Sequence, residues 1–149
     1  MGKREKATQS HFNKRKIIVL LNEVLEQEHS CNIRYRTHAA WVKGPHAESV
    51  SARLKEIAND EQSHADQLRD RILVLGGIPS MKVCEPDLIE ARELKQILHV
   101  NIKEEKAAIV KYTLILDEIP RNEILLYETI EHILQDEQEH LEELERLKG

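Results

Sequence analysis

Apolar residues recur every three or four positions along four stretches of this chain, and charged groups interrupt each stretch on the apolar face itself. In the first stretch, from about Lys14 to Val42, Ile17, Ile18, Leu21, Leu25, Glu28, Asn32 and Tyr35 keep to one side, and Gly44-Pro45 ends the run. The second, from about Ala47 to Leu75, carries Val50, Leu54, Ile57, Glu61, His64 and Leu68 and closes at Gly76-Gly77. The third, from about Glu93 to Asp117, turns Leu94, Ile97, Leu98, Ile102, Glu105, Ala108, Ile109 and Tyr112 inward. Pro120 marks a short turn, and the fourth runs from near Asn122 to about Leu147. Residues 76–92, with Pro79 and Pro86, have no helical period. A connection of that length can run along a whole helical bundle and leave the second and third helices parallel. The pattern predicts an all-α, four-helix bundle over residues 14–149, with residues 1–13 as a separate polar arm.

The interruptions repeat. Asp60-Glu61-Gln62-Ser63-His64 and Asp136-Glu137-Gln138-Glu139-His140 share a Glu-x-x-His, an Asp before it and a Gln inside it. Residues three apart lie on one helix face, so each copy points a carboxylate and an imidazole the same way. Leu54 and Ile57 precede Glu61 by the offsets at which Ile130 and Ile133 precede Glu137, and Leu68 and Leu144 follow at plus seven. Upstream, Glu28 lies 33 residues before Glu61, and Glu105 lies 32 residues before Glu137. Tyr35 and Tyr112 each follow their Glu by seven. The chain therefore reads as two helical hairpins, each offering Glu and then Glu-x-x-His to a common core.

Four carboxylates on apolar stripes need compensation, because each unpaired buried charge costs several kcal/mol. Protonating them instead would make folding strongly pH-dependent. Two divalent cations balance the charge directly. A Glu from each of two helices plus Glu-x-x-His from the other two is the donor pattern of di-iron and di-manganese carboxylate bundles. Oxygen-rich ligation with one imidazole per metal suits iron or manganese better than structural zinc. The spacing assigns Glu28, Glu61 and His64 to one metal and Glu105, Glu137 and His140 to the other, with Glu61 and Glu137 placed to bridge. Asp60 and Asp136 fall one residue off the metal face, as hydrogen-bond partners of the histidines or as solvated surface carboxylates.

Composition narrows the setting. The chain has 149 residues, enough for one domain, and only 5 Gly and 4 Pro. Its net charge of −5 argues against a dedicated nucleic-acid binder, although Lys3, Arg4, Lys6, Lys14, Arg15 and Lys16 form a basic arm. That arm reads as a solvated tail, with DNA binding as the alternative. Cys31 and Cys84 form no Cys-x-x-Cys, and the longest apolar run, Ile17 to Leu21, is too short for a bilayer span or a signal-peptide core. A reduced, cytoplasmic setting is the simplest reading. Cys31, three residues after Glu28, reads as a small buried side chain, with a thiol near the metals as the alternative.

These residues resemble the ferritin-like superfamily, and bacterioferritin most nearly. The resemblance rests on Leu21-Asn22 upstream of Glu28, Tyr35-x-x-His38-Ala39 and Glu61-x-x-His64-Ala65-Asp66. It extends to Arg71-Ile72-Leu73-Val74-Leu75 before Gly77-x-Pro79, to Leu94-Lys95-Gln96-Ile97-Leu98 before Glu105, and to Asp136-Glu137-x-x-His140. It implies a ferritin-like four-helix bundle with a long crossover between helices 2 and 3. It also implies a ferroxidase centre that binds two iron ions per subunit, with Mn or Zn as substitutes, oxidises Fe(II) with O2 or H2O2 and passes Fe(III) to storage. Gln62 stands where bacterioferritin carries its haem-ligating Met, and Met1 and Met81 are the only methionines, so no haem is expected. The chain ends nine residues after His140, which leaves no fifth helix.

Three other readings compete. A non-storage di-iron oxidase or rubrerythrin-like peroxidase would lack its usual Cys-x-x-Cys module here. A DNA-protecting mini-ferritin-like protein would use the basic arm, and a purely structural bundle would leave the buried charge unexplained. For assembly, Val19, Leu20, Val24, Ile72 and Val74 read as apolar surface beyond one bundle's need, which predicts a homodimer and, by the resemblance, a higher-order cage.

Overall fold

The computed structural model describes residues 12–149, so the expected arm over residues 1–13 lies outside the described residues except for Phe12 and Asn13. Helices α1 (Lys14–Trp41), α2 (Ala47–Val74), α3 (Leu94–Asp117) and α4 (Ile124–Lys148) form an all-α bundle. α1 packs along α2 as one hairpin and α3 along α4 as the other. None of these helices is long and apolar enough to cross a membrane.

Local chemistry sets the helix ends. The Asn13 side chain accepts from Lys16 N–H at 3.1 Å and caps α1. α2 stops in a Schellman turn, in which Gly77 N–H reaches Ile72 O at 2.9 Å and Gly76 takes φ +84°. Gly77 also lets the chain pass close to α1, since a Cβ there would meet Ile18 Cγ2 at 2.7 Å.

The crossover over residues 76–92 runs alongside α1, which places α2 and α3 parallel. Its one regular element is a 3-10 turn, Glu85–Asp87, with Pro86 inside it. An extended segment with no sheet partner must satisfy its backbone elsewhere, and a ridge of α1 polar groups does so. Asn22 Nδ2 donates to Ile78 O at 3.0 Å, His29 Nδ1 to Lys82 O at 2.6 Å, and Ser30 Oγ to Cys84 O at 2.8 Å. Arg34 Nη1 donates to Asp87 O at 2.9 Å and His38 Nε2 to Ile89 O at 2.7 Å. Residues 26, 30, 34 and 38 share one α1 face because they are four apart, and Glu26 O accepts from Cys84 N–H at 3.2 Å to complete the row.

Two apolar clusters fill the interior. One gathers Ile17, Leu21, Val24, Leu25, Leu68, Ile72, Tyr112, Ile115, Ile130 and Ile133; the other gathers Tyr35, Leu54, Ile57, Ile97, Leu98, Ile102 and Leu144. Glu28, Glu61, Glu105 and Glu137 fall between them in sequence on every helix, which makes a polar layer at mid-bundle. Val24 and Ile72, expected as outward apolar surface, are instead fully buried. The α1 stripe is wider than a single row of fours, and Val24, three residues after Leu21 and four before Glu28, falls inside it. Val19 and Val74 do face outward, at 57% and 70% exposure.

Gly77→Ala should destabilise the protein by about 1–3 kcal/mol through overpacking against Ile18 and Ile72. Urea unfolding of the two proteins measures the difference.

Candidate metal centre

Each hairpin delivers its carboxylates and imidazole to the mid-bundle layer. Glu28, Glu61, His64, Glu105, Glu137 and His140 are all at most 2% exposed. Their donor atoms gather into two groups, Glu28–Glu61–His64–Glu137 and Glu61–Glu105–Glu137–His140, each with its atoms within 4.8 Å of one another. All six residues named from the sequence thus come together, and Glu61 and Glu137 belong to both groups.

The aspartates fix the histidines crosswise. His64 Nε2 donates to Asp136 Oδ2 at 2.8 Å, and His140 Nε2 donates to Asp60 Oδ2 at 2.9 Å. Each Asp therefore orients the imidazole of the opposite hairpin, a pairing that the sequence spacing left open. With Nε2 carrying the proton, each Nδ1 turns its lone pair to the centre. There His64 Nδ1 lies 3.2 Å from Glu28 Oε2, 3.3 Å from Glu61 Oε1 and 3.2 Å from Glu137 Oε1. His140 Nδ1 lies 3.4, 3.7 and 3.6 Å from Glu61, Glu105 and Glu137 oxygens. A lone pair facing three carboxylate oxygens is repulsive unless a cation or a proton sits among them.

The tyrosines also cross between hairpins. Tyr35 on α1 donates its hydroxyl to Glu105 Oε1 at 2.6 Å, and Tyr112 on α3 donates to Glu28 Oε1 at 3.1 Å. Burial, reinforced by the neighbouring carboxylates, pushes both phenols well above their usual range, so they remain donors. The plus-seven spacing after each Glu was a visible signal for this role. These bonds hold Glu28 and Glu105 but leave much of the layer unsatisfied. Both oxygens of Glu61 and of Glu137, Glu105 Oε2 and His140 Nδ1 are buried without a hydrogen-bond partner. An orphaned buried polar atom is costly, and five such oxygens with one imidazole nitrogen around two points fit a pair of hard divalent cations with oxygen-rich ligation.

Without metal, protons take the same role. Burial would lower the His64 and His140 pKa values, but the surrounding carboxylates overcome it and raise both far above the usual imidazole range. Burial, helped by Glu61, raises Glu28 to about 7. Burial and the other three carboxylates push Glu137 well up, whereas the two facing imidazoles overcome burial at Glu61 and hold it well down.

A second buried network adjoins the centre, and two of its members, Arg34 and Asn101, had no signal in the sequence reading. Arg34 is 2% exposed and, among the described residues, forms no ion pair with a carboxylate. Its Nε donates to Asn101 Oδ1 at 2.9 Å and its Nη2 to Cys31 Sγ at 3.5 Å, and its guanidinium lies 5.4 Å from the Tyr35 ring centroid. Asn101 Nδ2 in turn donates to His38 Nδ1 at 2.9 Å. Cys31 is buried, as expected, and its thiol is pushed up by burial.

Fold and site together define a four-helix protein with a carboxylate–histidine cluster at mid-bundle. The ferritin-like domain family matches residues 18–148, and the chain belongs to that family. Bacterioferritin from Desulfovibrio desulfuricans is 28% identical over 130 residues, covering 86% of this chain and 72% of that one. A ferritin-like diiron-carboxylate protein from Bacillus anthracis matches with a TM-score of 0.85 at 28% identity, over 91% of this chain and 97% of that one. The dodecameric thioferritin of Bacteroides fragilis, a bacterioferritin-related protein, also gives 0.85, at 26% identity over 98% and 92%.

Because the folded, metal-free centre holds more protons than the unfolded chain, its stability falls as pH rises. The raised imidazoles stabilise fully below their unfolded value of about 6.5 and progressively less above it, and Glu28 loses its proton near 7. With chelator, the melting midpoint should drop by several degrees between about pH 6 and about pH 9. Mn(II) should abolish that drop, because the metal replaces the protons; calorimetric melts across pH check both.

Proposed function

We propose that this protein is a ferroxidase that oxidises Fe(II) to Fe(III) at a di-iron centre within one chain, for iron storage and detoxification. The observation that carries the reading is the set of unpartnered oxygens of Glu61 and Glu137 shared by the two donor groups. Glu28, Glu61 and His64 would hold one iron and Glu105, Glu137 and His140 the other, with Glu61 and Glu137, which belong to both donor groups, placed to serve both. The names of the relatives, a bacterioferritin and a diiron-carboxylate protein, support iron as the metal. Two Fe(II) supply two electrons, which suffices to reduce O2 to H2O2 or H2O2 to water with uptake of two protons.

The chain's own groups fix and insulate this chemistry. Asp136 and Asp60 hold His64 and His140 in the tautomer that turns Nδ1 to the metals. Tyr35 holds Glu105 by Oε1 and leaves its Oε2 unpartnered, and Tyr112 holds Glu28 by Oε1 while its Oε2 faces His64 Nδ1. The two apolar clusters exclude water on either side of the layer. The free thiols of Cys31 and Cys84 accord with a reduced, cytoplasmic setting.

A homodimer is the proposed building block. Val19 and Ile33 on α1 and Leu73 and Val74 on α2 expose large apolar side chains. A two-fold contact repeating the α1/α2 face would cover both sets. The dodecameric relative supports assembly of such dimers into a cage. A non-storage di-iron oxidase is the alternative if no shell forms.

Anaerobic Fe(II) titration followed by air, on sized protein, reads these properties together. About two Fe(II) should bind per chain and oxidise together, and Glu61→Ala or Glu137→Ala should slow oxidation by about 100-fold or more. Wild-type rates in both variants would sink the assignment. Light scattering should give a particle of dimer size or larger; a dimer without mineral capacity would leave the oxidase reading in place of storage.

A further inference from the structure

The two hairpins repeat each other, so residues at equal offsets from Glu28 and Glu105 can be compared position by position. The tyrosines at plus seven match, since Tyr35 holds Glu105 and Tyr112 holds Glu28. The positions around them do not. At plus six, Arg34 is buried, whereas Lys111 is half-buried and paired with Glu23. At plus ten stand His38 and Ile115, and at minus four stand Val24 and Asn101. One side of the α1/α3 contact thus carries the bonded Arg34, His38 and Asn101. The equivalent side carries Lys111, Ile115 and Val24, the last two inside an apolar cluster. The repeat is broken on one side only, behind Tyr35.

Arg34 brings a positive charge to that side. Its bonds go to neutral groups, Asn101 Oδ1, the Asp87 carbonyl and the Cys31 thiol. Burial opposes its charge, but Cys31, Tyr35 and Glu104 outweigh burial, and the guanidinium stays protonated. Burial lowers the His38 pKa, and His38 Nδ1 accepts from Asn101, so this imidazole is neutral and adds no second charge. The guanidinium lies 5.4 Å from the Tyr35 ring centroid. Burial raises both phenols, but at Tyr35 the Arg34 charge opposes the rise, whereas at Tyr112 the carboxylates of Glu28, Glu137 and Glu61 all add to it. A more acidic phenol donates a stronger hydrogen bond, and Tyr35 lies 2.6 Å from Glu105 Oε1 against 3.1 Å for Tyr112 and Glu28 Oε1. Stronger donation draws electron density from Glu105, and a positive charge behind it repels a cation. Both effects weaken the same position.

We propose that Arg34 is a positioning residue that makes the two metal positions unequal: its buried charge, acting through Tyr35, loosens the Glu105–His140 position and leaves the Glu28–His64 position the tighter one. The inference rests on the two-metal reading. Because a third positive charge on the metal is repelled more than the second, Arg34 also favours Fe(II) over Fe(III) at the Glu105–His140 position. His38 and Asn101 hold the guanidinium in place for this role.

Co(II) binding to the assembled, metal-free protein tests this without any oxidation chemistry. Crystals loaded with one Co(II) per chain show by anomalous diffraction which position fills first, and calorimetric titration gives the two affinities. In the wild type the Glu28–His64 position should hold about five times more cobalt than the other, or better. Arg34→Gln should bring the two occupancies within about twofold of each other and raise the weaker affinity about tenfold. Arg34→Lys keeps the charge without the guanidinium bonds and should stay near the wild-type ratio. Lys111→Gln, which removes a charge already paired with Glu23, should change nothing. Equal filling in the wild type would overturn the inference without any variant. So would an unchanged ratio or a lower Co(II) count in Arg34→Gln, or the same shift in Arg34→Gln and Arg34→Lys, which would assign Arg34 a structural role; each of these leaves the metal centre standing. A wild type that binds no Co(II) in the layer would overturn the metal reading and the inference together.

Discussion

Four carboxylates meeting in the interior of a helical bundle are the constraint on which the rest of this structure depends. Fully burying a leucine contributes about 1.5–3 kcal/mol, while an uncompensated buried charge costs several. Glu28, Glu61, Glu105 and Glu137 would therefore consume much of what the two apolar clusters supply. The structure answers with groups that either donate to these carboxylates or orient donors towards them. Tyr35, Tyr112, Asp60 and Asp136 are all of this kind, and each acts on the opposite hairpin. The hairpins are thus joined at mid-bundle by polar bonds and shared carboxylates, and above and below by apolar packing.

The same economy explains the crossover. A segment that must span the bundle to bring α3 in parallel to α2 leaves its backbone unsatisfied, and the i+4 polar ridge of α1 meets it. Arg34 belongs to that ridge and to the edge of the centre at once, through Asp87 O on one side and Cys31 and Tyr35 on the other. Its burial without a carboxylate partner among the described residues becomes intelligible beside a strongly anionic layer, where a nearby cation is favoured even at a distance.

How much of this was legible follows from which features are periodic. The helices and the convergence of the six donor residues were readable from spacing within each helix, and the parallel placement of α2 and α3 from the length of the connection over residues 76–92. Val24 and Ile72 were misplaced because the width of an inward stripe depends on how neighbouring helices pack, not on one helix alone. That Asp136 would bond His64 rather than His140 depends on the facing geometry of the hairpins, which no single helix encodes. The Arg34–Asn101–His38 chain was invisible for the same reason, since its partners lie 63 residues or more apart in sequence.

The central claim is that the two donor groups hold one divalent iron each and share Glu61 and Glu137. Crystals grown anaerobically with Fe(II), with anomalous differences collected on either side of the iron edge, address it most directly. Two peaks per chain are predicted, one among Glu28, Glu61, His64 and Glu137 and the other among Glu61, Glu105, Glu137 and His140. Absence of iron from this layer at saturating Fe(II), or iron bound only on the surface, would contradict the account.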